Sequence, residues 1–281
     1  MHPSLDRSLA LPGVLSLRDG EVFPHFPDAM PPGVIEAGRY RLRFAWQRSD
    51  LRAVQALRYR VFTEELGEGL AANAGSGLDV DERDATFHHL LIETDDGEVV
   101  GTYRLQTAVM AATGSGFYGR TLFELATVPT AVLADAVEIG RACVAPAHRT
   151  GRVLRLLWRG LARYLQWNSK RYLFGCCSLT GTTPALARDA WGALLRRGAL
   201  HPDILVRPRP TTRALGDDGR FIPATDAAVA LPPLFEGYLA LGAHVCGPPA
   251  VDRPFGTTDF LVLLDVQALD PRTYASFFRP A

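Results

Sequence analysis

Two charged side chains interrupt an apolar stretch. Glu138 and Arg141 lie within Val137-Glu-Ile-Gly-Arg-Ala-Cys-Val144. A charge removed from water must be paired or hydrogen-bonded, so the two are either a structural ion pair or the working groups of a site. Residues three apart face opposite sides of a regular strand, and a bulge at Gly140 would bring both to one side. The run then turns through Arg149-Thr-Gly151 into a long amphipathic stretch. A helix N-terminus there offers unpaired backbone N–H groups to an anion. The phosphate of a phosphopantetheine, on a carrier or in coenzyme A, is such an anion. Arg152, Arg155, Arg159 and Arg163 share one face of that helix. This stripe either steers an acidic carrier protein to the site or is a solvated face. Docking is assigned to Arg152 and Arg155, and solvation to Arg163.

Other chemistry is set aside by spacing. Asp79, Asp81 and Asp84 lack the Gly and the twelfth-position Glu of a calcium loop. Adjacent His88 and His89 point to opposite faces of a strand and do not share a metal. Cys-Cys-Ser178-Leu-Thr-Gly is not a nucleophile elbow. Leu57-Arg-Tyr-Arg-Val-Phe62 mixes bases with aromatics, but no wider pattern of that kind supports nucleic-acid binding.

The elements that position these residues follow from periodicity. Strands are predicted at 40–46, 87–93, 99–109, 137–144, 171–179 and 257–265. Asp95-Asp96-Gly97 marks a hairpin between the second and third. Helices are predicted after Ser49-Asp50, at 151–167, 184–197 and 232–241, and after Asp270-Pro271. Residues 1–38, rich in Pro and Gly, read as an irregular arm, and 202–233 as extended or loop. The order implies one mixed α/β sheet flanked by helices. No repeat or low-complexity linker divides 39–281.

The 281 residues carry no net charge, yet the sign is unevenly spread. Acids dominate 61–103, and 139–188 contains none, which suits a cationic substrate with an anionic donor. Fold packing that mixes the two segments on a surface is the alternative. No run of 18 apolar residues is present, and the N-terminus does not read as a signal peptide. The four cysteines lack metal-like spacing and fit buried thiols in a reducing cytoplasm.

In order along the chain stand Leu57-Arg-Tyr-Arg-Val-Phe, Asp79-Val-Asp-Glu-Arg-Asp, Val100-Gly-Thr-Tyr-Arg-Leu, Gly116-Phe-Tyr, Glu138-Ile-Gly-Arg, Arg149-Thr-Gly and Tyr172-Leu-Phe-Gly-Cys-Cys-Ser-Leu. Leu231-Pro-Pro-Leu, Gly237-Tyr-Leu-Ala-Leu-Gly-Ala and Gly256-Thr-Thr-Asp-Phe follow. From Tyr40 onward this set resembles the ornithine N-acyltransferases of bacterial ornithine lipid synthesis, a GNAT-like family often labelled haemolysin. That family is similar to the acyl-homoserine lactone synthases. The resemblance implies a GNAT-like mixed sheet with a C-terminal extension of the same domain. It implies transfer of a 3-hydroxyacyl group from acyl carrier protein to the α-amine of ornithine, with the phosphopantetheine thioester as donor and no metal or other cofactor.

The resemblance also distributes roles. Glu138 is the base, with Arg141 and Arg104 orienting it or holding the substrate carboxylate. Arg58, Phe62, Asp79, Asp81, Asp84, Arg104 and Phe117 shape the acceptor cleft, and the acidic loop would hold the second ammonium of ornithine. Val144, Arg149, Gly151, Arg152, Arg155 and Ser178 bind the donor, with an N–H near Val144 polarising the thioester. Two departures stand out. Arg149-Thr-Gly-Arg-Val is not the usual GNAT run and favours acyl carrier protein over coenzyme A. Phe87-His88-His89-Leu replaces the family's Cys-Asp-His-Leu, which would change the acceptor if that position reads it. An amphiphilic product implies loose contact with the inner membrane face from the cytoplasm. The alternatives are acylation of glycine or glutamine, an acyl-homoserine lactone synthase, or a non-catalytic acyl-carrier or lipid-binding protein.

Overall fold

The computed structural model describes residues 23–214 and 229–278. The first 22 residues of the predicted arm, and 215–228 of the predicted loop, lie outside the described residues.

The first half of the sheet is a meander. β1 (Ile35–Ala37), β2 (Tyr40–Phe44), β3 (His88–Thr94), β4 (Val99–Thr107) and β5 (Ala136–Val144) pair antiparallel in sequence order. β1 corrects the reading of 1–38 as irregular throughout, because Ile35–Ala37 form the sheet edge beside β2. Between β2 and β3, α1 (Arg48–Arg58) continues into a π-helical turn, Tyr59–Glu65. Three short helices join β4 to β5: α2 (Ala108–Thr113), α3 (Gly119–Leu122) and α4 (Thr130–Ala134). Each has six residues or fewer, too few for a helical period to show in the sequence.

β5 leads into α5 (Gly151–Trp167), capped by the Thr150 hydroxyl on the Val153 N–H. α5 crosses to β6 (Tyr172–Thr180), the one parallel partner of β5 among the described strands. α6 (Pro184–Arg196) and α7 (Pro233–Ala240) follow, then β7 (His244–Val245), β8 (Ala250–Asp252), β9 (Thr257–Asp265) and α8 (Pro271–Phe278). β9 lies antiparallel along all of β6 and pairs β7 and β8 on its other side. The C-terminal extension therefore completes the same sheet rather than forming a separate unit.

The sheet divides two cores. On one face α5 buries Val153, Leu156, Leu157, Leu161 and Leu165 against Leu42, Leu90 and Tyr103. Gly160 makes that approach possible, because an added Cβ would lie 2.3 Å from Leu90 and 2.6 Å from Leu42. On the other face Phe117, Phe123, Phe174 and Leu261 form a second cluster. The Arg163 guanidinium donates to the Pro32 carbonyl, and the Trp167 indole donates to that of Asp28. The end of the α5 stripe thus straps residues 28–32 down, so Arg163 is a structural contact rather than a solvated one.

Arg58, at the end of α1, is fully buried and pairs with Asp79 at 2.8 Å and Asp84 at 2.6 Å. Removing one partner of a buried pair leaves the other charge uncompensated. Arg58→Ala is expected to cost about 3–5 kcal/mol of unfolding free energy, read from urea denaturation. A loss below about 1 kcal/mol would place the pair among weak surface bridges.

Candidate active site

β5 opens the sheet. It pairs β6 only over Ala136–Glu138, and its register with β4 slips between Thr102 and Arg104. Gly140 faces Arg104 while Cys143 faces Thr102, so β5 carries one extra residue. Arg141 absorbs it with a left-handed backbone, φ 47°. The predicted bulge is present, one residue later than expected. It turns Arg141 onto the face that holds Glu138, where its guanidinium lies 5.6 Å from the Tyr118 ring and 4.2 Å from that of Phe255. Opposite, Gly175 of β6 lies against the Ile139 carbonyl, and a Cβ there would sit 2.2 Å from that oxygen.

Past Glu138 the gap between β5 and β6 becomes a cavity of about 260 Å³. Glu138, Arg104, Tyr118, Arg141, Asp252 and Asp259 line its charged side, and Tyr103, Leu173, Leu234, Phe235, Tyr238 and Val262 its apolar side. Tyr103 and Tyr238 share a hydrogen bond of 2.7 Å that ties α7 to β4.

Glu138 is 3% exposed, and three N–H donors meet it. Oε2 accepts from the Gln106 amide at 2.6 Å and the Tyr118 N–H at 2.8 Å. Oε1 accepts from the Gly119 N–H at 2.7 Å. Burial raises its pKa against these donors. Glu138 and Arg141 are not paired: Arg141 reaches Asp81 at 3.1 Å and Asp79 at 3.5 Å.

The acidic loop is consumed by arginines. Asp84 binds Arg58 through both oxygens and Arg104 at 3.1 Å. Asp81 binds Arg104 at 2.8 Å as well as Arg141. Burial pushes both carboxyls up, but the neighbouring guanidinium charges outweigh it, holding Asp81 down at about 2 and Asp84 lower still. With three arginines balancing them, Asp79, Asp81 and Asp84 are not free to hold an ammonium, which corrects that expectation.

Of the remaining candidates, Phe62 and Arg104 line the cavity, and Asp81 lines an adjoining hollow with Arg141. Arg58, Asp79 and Asp84 are buried behind it, and Phe117 packs on Phe174 in the core. Among the donor candidates only Ser178 lines the cavity, paired in register with Asp259 on the charged side rather than with donor groups. Arg149 is held by Glu65 through two 2.6 Å bonds and donates to the Val144 carbonyl. Gly151, Arg152 and Arg155 are exposed on α5, outside the cavity. His88 is also outside it, bonded to the Tyr164 hydroxyl and the His25 carbonyl. It therefore does not read the acceptor.

Sequence reasoning missed Tyr118, Asp252 and Asp259. Asp259 carried a signal, because it stands in the apolar strand Thr257–Asp265 much as Glu138 stands in β5.

A sheet opened at a bulge, with a buried carboxylate beside the gap and an apolar channel behind it, defines an N-acyltransferase of the GNAT class. The acetyltransferase (GNAT) domain family matches residues 57–159. The chain is 35% identical over 84% of its length to an L-ornithine N(alpha)-acyltransferase of Rhizobium meliloti, covering 83% of that protein. It is 36% identical over 83% of its length to the enzyme of the same name from Rhodobacter capsulatus, covering 92% of it. It belongs to the L-ornithine N(alpha)-acyltransferase family. Among solved structures, the acyl-homoserine lactone synthase LasI aligns with a TM-score of 0.44 at 13% identity, over 86% of this chain and 96% of that one.

Acid should weaken the protein in two windows. Burial holds His88 and His89 down at about 4 against an ordinary 6.5. Unfolded rings take protons that folded ones refuse, so the two histidines lower stability as pH drops from 6.5 through 4, opposed in part by Asp259, whose folded carboxyl, pushed up to about 7, takes a proton that the unfolded one refuses. Asp81 and Asp84 extend the loss from their ordinary 3.8 down through about 2. Urea midpoints across this range should show both declines, and Asp81→Asn should lower the curve above about pH 4 and flatten its acid end, where the wild-type carboxyl loses its charge too.

Proposed function

We propose that this protein transfers a 3-hydroxyacyl group from the phosphopantetheine thioester of an acyl carrier protein to the α-amine of L-ornithine. The observation that carries the reading is a cavity whose charged side and apolar side meet at Glu138. The names of the curated relatives supply the acceptor.

An ammonium cannot attack a thioester, so one proton leaves first. Glu138 takes it: burial raises its pKa, and Oε1 accepts one protein N–H and keeps a lone pair for the amine. The amine nitrogen then adds to the thioester carbon, the carbon–sulfur bond breaks, the second proton that the nitrogen sheds in becoming an amide goes to the leaving thiolate, and Glu138 returns its own proton to solvent. Gly140–Ala142, not Val144, line the cavity, so the bulged backbone is assigned the polarisation of the thioester carbonyl. Arg141, whose Nε and Nη2 face Asp79 and Asp81, offers Nη1 to the substrate carboxylate.

Burial pushes the thiols of Cys176 and Cys177 up, so neither is a ready thiolate and transfer is direct. The thioester supplies the driving force without a further cofactor. The N-terminus of α5, with Arg152 and Arg155, is the docking face for the acidic carrier. No helix among the described residues is long and apolar enough to cross a membrane. An amphiphilic product favours peripheral contact with the inner face of the membrane from the cytoplasm. Glycine and glutamine remain the competing acceptors, but His88, the departure that suggested them, is outside the cavity.

Purified protein with 3-hydroxyacyl carrier protein and ornithine should release carrier thiol in step with acyl-ornithine mass. Glu138→Gln should slow release by about 10²–10⁴-fold. Thermal unfolding must be followed alongside, because an amide at 138 turns a donor toward other donors. Release without an amide product, or full activity in Glu138→Gln, would sink the mechanism.

A further inference from the structure

The charged side of the cavity holds, besides Glu138, a pair of carboxylates that the reaction does not use. Asp252 and Asp259 come from β8 and β9, where Asp252 faces Thr257, so Asp259 is its diagonal neighbour on the same sheet face. They are 4% and 2% exposed, and both line the cavity. Asp252 is anchored: the Tyr118 hydroxyl donates to Oδ2 and the Phe255 N–H to Oδ1 at 3.2 Å. Asp259 is held less completely: the Thr257 and Ser178 hydroxyls neighbour its carboxylate, but Oδ1 has no hydrogen-bond partner. Neither makes an ion pair with a described residue, and Arg141, whose charge reaches Asp259, is engaged by Asp79 and Asp81.

Two buried carboxylates without a cation are costly. Burial and the negative charge of Asp252 push Asp259 up to about 7, against the neighbouring hydroxyls of Thr257 and Ser178 and the charge of Arg141. Burial, then the negative charges of Asp259, Glu138 and Asp252, push the Cys176 thiol up, and all four residues line the same cavity. A cation placed there would relieve the desolvation and the repulsion together.

Resting on the acyl-transfer reading, we propose that Asp252 and Asp259 form the seat for the side-chain ammonium of the acceptor amino acid, and so select a diamino acid over a neutral one. The acceptor then lies across the cavity with its carboxylate toward Arg141, its α-amine toward Glu138 and its far ammonium between the two aspartates. Asp259 is the specificity determinant, because its free oxygen receives the cation. Asp252, fixed by Tyr118, sets the position.

The test compares ornithine with norvaline, which has the same carbon chain and no terminal amine. Equilibrium binding to the full chain, without donor, is measured by calorimetry for wild type, Asp259→Asn and Asp252→Asn, each checked for an unchanged thermal transition. Acyl transfer is followed in parallel. Wild type should prefer ornithine by at least about tenfold, and Asp259→Asn should abolish the preference, mainly through KM, while norvaline binding holds or improves. Asp252→Asn, which removes the second negative charge while leaving Asp259 in place, should weaken ornithine in the same sense. Equal loss of kcat with both acceptors in Asp259→Asn would overturn the proposal, as would a preference that survives both substitutions. Wild type that binds ornithine no better than norvaline overturns it too, even where another amine is acylated and the transfer reaction stands. Ornithine binding that depends on Asp259 but gives no acyl product supports the seat while sinking the proposed reaction.

Discussion

The extra residue in β5 is the constraint from which the site follows. A strand between two partners cannot gain a residue against one and stay paired with both. β5 keeps its ladder with β4 by placing Arg141 in the left-handed region, and it gives up β6 beyond Glu138. The gap becomes the cavity, and the turned backbone aims Arg141 across it. A non-glycine residue with positive φ is costly and persists only where its surroundings hold it. Here the guanidinium is gripped by Asp79 and Asp81 and stacked on Phe255.

That grip explains the buried cluster of Arg58, Arg104 and Arg141 with Asp79, Asp81 and Asp84. The arginines come from α1, β4 and β5, so the loop at 79–84 fastens a helix to two strands. Desolvation makes such clusters poor sources of net stability, and their worth lies in fixing one geometry. Glu138 works alike on the same charged side, where it gathers the N–H groups of Tyr118 and Gly119 at the start of α3. The proton acceptor thus sits in a frame of donors and depends on one remaining lone pair.

Much of the frame was legible. The bounds of α5 and β9 follow from an amphipathic period and a continuous apolar run, and both match the structure residue for residue. The need for a bulge followed from two charges at a spacing of three, although which residue would take the strained backbone did not. The acidic loop misled because its charge is visible locally while its arginine partners are 20 to 62 residues away. Long-range neutralisation leaves no local mark. His88 misled for a related reason: its strand was read correctly, but its face depends on the packing of α5. Asp259 was overlooked although it repeated the signal that singled out Glu138.

The placement of β9 has a consequence for synthesis. β6 emerges roughly 80 residues before its antiparallel neighbour, and until then its apolar edge lacks a partner. An unpaired hydrophobic edge is an adhesive surface. The wall carrying Tyr238, Asp252 and Asp259 also arrives only with that last stretch of chain. The ribosome therefore releases the two halves of the cavity at different times, and a polypeptide interrupted before Thr257 is sticky before it can be selective.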